Sequence, residues 1–155
     1  MSLTDSYRFQ THYGRWILLP PAAASGVLQS QVARSPLLLC SIYLIAVRHT
    51  TQELANELAP KLFQEVRTLL ASSLLITPQT EEFFQAVIVL TLWSTTIGQV
   101  PLSIDGWLIT GYALQQGVVS PAFADTTAAQ ANRHLNPANA SKQHLWIHLC
   151  LAHLQ

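Results

Sequence analysis

The sequence predicts an all-α fold of antiparallel helices, packed as a bundle or an irregular superhelix. Three observations predict it. Helix start and stop signals recur along the chain, as in Ser35-Pro36, Thr80-Glu81-Glu82 and Ser120-Pro121. One long segment carries an apolar stripe at helical period, Leu54, Leu58, Leu62, Val66, Leu69 and Leu70. Strand signals are poor, because Val87-Ile88-Val89-Leu90 lies inside a longer capped helical window.

The elements follow in order. Residues 1–25 are irregular and aromatic-rich, ending at Pro20-Pro21. Ser35 caps a helix with Pro36 at its first position. Leu37 to His49 is apolar almost all round, the pattern of a helix in the middle of a core. Arg48 and His49 suit the negative end of its dipole. Thr50-Thr51-Gln52-Glu53 matches a capping box and opens the striped helix. Glu57 and Lys61 form an i, i+4 pair on its wet side. Pro60 interrupts the stripe at a cost of ~3 kcal/mol, so a kink or break is expected near Ala59. Ile76-Thr77-Pro78 ends this helix. Thr80 with Glu81 and Glu82 starts the next, which runs through Phe83 to about Thr96 and stops at Gly98. Gln99-Val100-Pro101 reads as loop, and Ser103 as the cap of a helix from Ile104 to about Gly117. Thr126 to His134 is a weak Ala-rich helix, and Asn136-Pro137-Ala138-Asn139 a turn. Ser141 caps a last helix from Lys142 to the end.

With 155 residues, the chain suits a single domain over 1–155. Half of the residues are hydrophobic and only 10% are charged, against about 25% in average soluble chains. Disorder is therefore excluded as the description of the whole chain. So little charge, with a mean hydropathy of +0.27, implies an exposed apolar patch on part of a larger assembly or of a longer protein. Eight basic and eight acidic residues cancel, leaving no excess positive charge to bind phosphates. Cys40 and Cys150 form no framework and read as buried reduced thiols, which fits a nuclear or cytosolic location. No signal peptide is visible, and no apolar run reaches the ~20 residues that span a bilayer.

Chemical constellations are thin. His144 and His148 share a helix face as two zinc ligands must, but Leu145 stands where a zincin carries its glutamate. His153 lies about 140° further round, so three ligands from one straight helix are awkward, and core or surface histidines are the better reading. No G-x-S-x-G elbow occurs, and Cys150 and His148 at i, i+2 point apart. No phosphate loop exists, and the six arginines are dispersed. No catalytic, cofactor or metal residue is therefore assigned. Trp16, Trp93, Trp107 and Trp146 fit core packing. The sharper reading is that Trp93 and Trp107, flanking the Gly98–Asp105 loop, wall an apolar ligand pocket.

Five segments, in order, resemble one family. They are His12-Tyr13 with Leu18-Leu19-Pro20, Arg34-Ser35-Pro36-Leu37 through to His49, and Gln85-Ala86-Val87-Ile88-Val89-Leu90-Thr91-Leu92-Trp93. Ser103 to Leu114, with Trp107, Gly111 and Ala113, and Lys142 to Cys150, with Trp146 and Leu149, complete the set. Over about residues 9–155 the chain resembles the central regulatory region, or middle homology region, of the fungal binuclear-zinc-cluster transcription factors. The family's Leu-Gly-Leu-His-Arg is absent, with Gly117-Val118-Val119-Ser120-Pro121 in its place. Two isolated cysteines cannot build the family's six-cysteine cluster.

The resemblance implies a nuclear regulatory domain, truncated at its C-terminal end, that modulates transcription through an effector or a partner protein. The partner would be a second copy or the rest of the transcription factor, and a small-molecule effector is also implied. DNA would be read only by a zinc-cluster module outside this chain. The rival functions are a helical interaction scaffold unrelated to transcription, and a small-molecule-binding or metal-dependent enzyme using His144 and His148.

Overall fold

The structure, a computed structural model, describes residues 13–14, 34–93, 102–123 and 137–155, with side chains in the last segment from Ala140 onward. Helix α1 spans Pro36–Ala46 and continues as a 3₁₀ turn, Val47–His49. Helix α2 is Gln52–Ser73, α3 is Glu81–Trp93, α4 is Gly106–Val119 and α5 is Pro137–His153. No strand occurs among the described residues, and the fold is all-α. Val87 to Leu90 is helical.

The start of α1 forms as its sequence requires. The Leu38 amide donates to Ser35 Oγ at 3.3 Å, and Pro36 occupies the first turn, where no amide is needed. Leu37, Leu38, Ile42, Leu44 and Ile45 are all buried. The buried Ser41 hydroxyl donates to the Leu37 carbonyl at 2.7 Å, so it adds no unpaired group.

The capping box at Thr50 does not form. Thr50 Oγ1 instead donates back to the Val47 carbonyl at 2.7 Å and closes the 3₁₀ turn. Thr51 becomes the cap residue of α2, without a side-chain bond. Nor does Pro60 end the helix, since α2 runs through it for 22 residues. Both Pro60 and Asn56, whose carbonyl loses its donor there, are exposed, so the freed carbonyl lies where water can reach it. The buried line of α2 is Ala55, Ala59, Val66 and Leu70, of which Val66 and Leu70 belong to the expected stripe; Leu58, Leu62 and Leu69 pack half-buried against the core, and Leu54 stays 42% exposed. Glu57 and Lys61 pair at 2.9 Å on the wet side.

Helix α3 is the centre of the molecule. Phe83 through Leu90 is buried without a gap, and the helix packs against α1, α4 and α5. A helix covered on so many sides has no use for an amphipathic pattern. The Ala-rich segment 126–134, the Thr96 and Gly98 end of α3, the Gln99-Val100-Pro101 loop and most of residues 1–25 lie outside the described residues.

The turn before α3 is tied to α4 by polar groups. Gln79 Nε2 donates to the Ser73 carbonyl at 2.7 Å and to Tyr112 Oη at 3.3 Å. Tyr112 donates to the Leu74 carbonyl, and Ser120 Oγ donates to the Gln79 carbonyl at 3.0 Å. Gln79 and Ser120 are almost fully buried, so these bonds offset their desolvation.

Two helix starts differ from expectation. Asp105, not Ser103, caps α4, its Oδ1 accepting from the Leu108 amide at 3.0 Å. A carboxylate complements the positive helix end better than a hydroxyl does. Helix α5 begins at Pro137, so Pro137-Ala138-Asn139 is its first turn and Ser141 lies inside it. Proline is as well suited to the first helical position as to a turn, and the local sequence does not separate the two. The α4 end at Ser120-Pro121 falls as expected.

Candidate functional site

Helices α4 and α5 pack antiparallel, since Thr110 meets His153 while Gly117 meets Trp146. Their inward sides are Ile109, Thr110, Ala113 and Gly117 on α4 and Leu145, Leu149 and Ala152 on α5. Their outward sides are also apolar. Trp107 is 72% exposed, Val118 75% and Leu154 81%, with Leu108, Val119, Ile147 and Leu151 exposed beside them. Among the described residues, seven of the ten exposed large hydrophobic side chains belong to these two helices and the residue after α5, so the described apolar surface is concentrated there. Helix α4 contains no charged residue, and α5 contains only Lys142, besides its histidines. This is the exposed apolar patch expected from the low charge.

The α4 end of this face is held in place. The Trp107 and His153 rings stack with centroids 5.6 Å apart and 23° between planes. Thr110 Oγ1 donates to the Gly106 carbonyl at 2.6 Å, which leaves its oxygen to accept from His153 Nδ1 at 2.9 Å. His153 thus bonds Thr110 on one side and stacks on Trp107 on the other. His144 is exposed and His148 half-buried, one turn apart on α5. Among the described residues no group of three metal-ligating side chains comes together. Cys40 and Cys150 are half-buried free thiols. Burial pushes both up from the ordinary thiol range, and at Cys40 the charge of Glu65 acts in the same direction, so neither is an activated nucleophile.

The two candidate pocket residues have different settings. Trp93 is half-buried, edge-on to Tyr13 at 5.0 Å, and its carbonyl accepts from Arg48 Nη1 at 3.1 Å. Trp107 stands on the open face of α4. A cleft that sequence reasoning missed lies where α1 and α3 begin and α2 ends. It has a volume of about 330 Å³, and its polar lining is Arg34, Ser35, Ser73, Thr80 and Glu82. These residues are scattered over 49 positions and carry no motif, so only the packing assembles them. Glu81 beside the cleft has its carboxyl held above the usual range by burial and by Glu82, partly offset by Lys142.

Residues 2–155 match the middle domain of the transcriptional activator of proteases prtT. The chain belongs to this family of PrtT-like middle domains. It is 30% identical to an uncharacterized transcriptional regulatory protein of Schizosaccharomyces pombe, over 94% of this chain and 27% of that protein. It is 27% identical to the transcriptional activator of proteases prtT of Aspergillus clavatus, over 100% of this chain and 24% of the relative. The Aspergillus fumigatus protein of the same name is 26% identical over 95% of this chain and 20% of its own length. The chain thus spans about a quarter of the length of the relatives it matches. No solved structure matches it. The family is one of fungal transcriptional regulators, and no zinc cluster lies in this chain, which has two cysteines. No described helix is long and apolar enough to cross a membrane.

Proposed function

We propose that this chain is a single regulatory domain of a nuclear fungal transcription regulator, acting through protein contacts and not through catalysis. DNA reading belongs to a zinc-cluster module outside the chain. The observation that carries this reading is the uncharged apolar face of α4 and α5, held by the Trp107–His153 stack. An apolar patch of this kind marks a protein-docking site on a soluble domain. The test is a transcriptional reporter in the fungus that carries the gene. Replacing Trp107 and Val118 by serine, both largely exposed, is expected to shift reporter output severalfold at unchanged protein level. Unchanged output would remove the reading.

A small-molecule effector is the second reading, and the cleft favours it over a site between Trp93 and Trp107. A volume of about 330 Å³ is near the lower end of ligand pockets, about 300–1,000 Å³. Arg34 and Glu82 offer both signs of charge, which suits a small zwitterion such as a free amino acid. A panel of amino acids in thermal unfolding is the test. A binder at about 100 times its Kd adds about 2.7 kcal/mol of stability. The gain is expected to vanish in Arg34→Ala. No gain from any amino acid would end the zwitterion reading.

A further inference from the structure

The cleft where α1 and α3 begin and α2 ends sorts its polar groups by chemistry. At the start of α1 stand Arg34 and Ser35. Ser35 Oγ accepts from the Leu38 amide at 3.3 Å, so its own O–H is left to donate. Both residues therefore offer donors, and Arg34 adds a positive charge. At the end of α2 and the start of α3 stand Ser73 and Glu82. Ser73 Oγ donates to the Leu69 carbonyl at 2.7 Å, so toward a ligand it can only accept. Glu82 is an acceptor too, with a negative charge. Among the described residues, no hydrogen bond or salt bridge engages the side chain of Arg34 or of Glu82. Apart from the Thr80 hydroxyl, the rest of the wall is apolar, supplied by Pro36, Leu37 and Leu69.

We propose that this cleft selects free α-amino acids with an aliphatic side chain, the class of leucine, isoleucine and valine. The proposal rests on the reading of the cleft as a zwitterion site and names the side chain that the site takes. The ligand carboxylate lies toward Arg34 and Ser35, where donation is charge-assisted. The ammonium lies toward Glu82 and Ser73, which accept. The two ends of the ligand use both free charges of the lining. A charged ligand side chain would then lose water without gaining a partner. An aliphatic side chain instead covers Pro36, Leu37 and Leu69. Such burial is worth about fourfold in affinity for each CH2 group. Leucine carries three more carbons than alanine, and a cleft covers part of them, so a preference of about tenfold or more is expected.

Equilibrium dialysis of the full chain against labelled L-leucine tests this, with unlabelled valine, alanine, glutamate and lysine as competitors. Leucine is expected to bind about tenfold or more tighter than alanine. Glutamate and lysine are expected to compete less well than alanine. Labelled L-leucine amide, which keeps the ammonium and lacks the carboxylate charge, reads the orientation. Arg34→Gln should weaken leucine by about tenfold or more and the amide by less than about threefold. Glu82→Gln should weaken both alike. Arg34 is exposed and Glu82 half-buried, so circular dichroism should show unchanged helix content in both variants. Glutamate or lysine competing as well as valine overturns the proposal, and so does an equal loss of leucine and its amide in Arg34→Gln. If leucine is not retained at all, the proposal is wrong, and the amino-acid panel in thermal unfolding decides the rest. Stabilisation by a different amino acid leaves the zwitterion site standing, and stabilisation by none removes both.

Discussion

Phe84→Ala is expected to lower stability by about 3–5 kcal/mol, the range for removing a buried aromatic side chain. Phe84 is fully buried in the first turn of α3. Its ring meets Phe83 at 5.6 Å and Phe123 at 4.9 Å, both edge-on, and Phe123 in turn meets Trp146 at 5.4 Å. The ring therefore links the central helix to the segment after α4 and, through it, to α5. Edge-on pairs add about 0.5–1.5 kcal/mol beyond their buried area, so the cost should fall in the upper part of the range. For a chain of this size each kcal/mol moves the midpoint by about 2–4 °C, so thermal unfolding should shift down by about 10 °C or more. A loss under about 1 kcal/mol would mean that the ring sits in a site able to collapse around the gap, contrary to the packing described.

Gly117→Ala and Gly111→Ala should change stability in opposite directions, although both glycines lie inside α4. An alanine in a helix interior is favoured over glycine by about 1 kcal/mol on backbone grounds alone. At Gly111 the added Cβ would stand 3.4 Å from His153 Cε1, an ordinary contact, so most of that gain should appear. At Gly117 it would stand 2.5 Å from Trp146 Cζ3 and 3.3 Å from Cε3. The indole is rigid and is held against Phe123, so it cannot give way locally. Overpacking costs about 1–3 kcal/mol, which offsets the backbone gain and leaves a net loss of up to about 2 kcal/mol. Denaturant unfolding of the two variants side by side measures the difference. Two variants that stabilise equally would show that α5 does not lie against Gly117.

Helix starts with a side chain of clear preference were legible before the structure, as at Ser35-Pro36. Starts with two chemically acceptable solutions were not. Thr50 closes a turn instead of capping, Asp105 caps in place of Ser103, and Pro137 opens a helix within a turn-like run. In each case the local sequence offers more than one acceptable cap or turn, and it does not rank them. Pro60 is the same lesson from the other side. A proline costs least where water reaches the freed carbonyl, and exposure is a tertiary fact.

The all-α class and the central place of α1 and α3 are determined by the sequence itself, because periodicity and gapless apolar runs are local properties of the chain. So is the presence of an apolar patch, which follows from having half of the residues hydrophobic and only 10% charged. Its location was decided by the tertiary structure alone. Leu62 and Leu151 look alike in sequence, yet one packs against the core and the other faces solvent. The α1–α2–α3 cleft likewise exists only once three helix ends meet. Which side of an apolar helix is left uncovered depends on how many neighbours the fold supplies, and that number is a property of the whole packing.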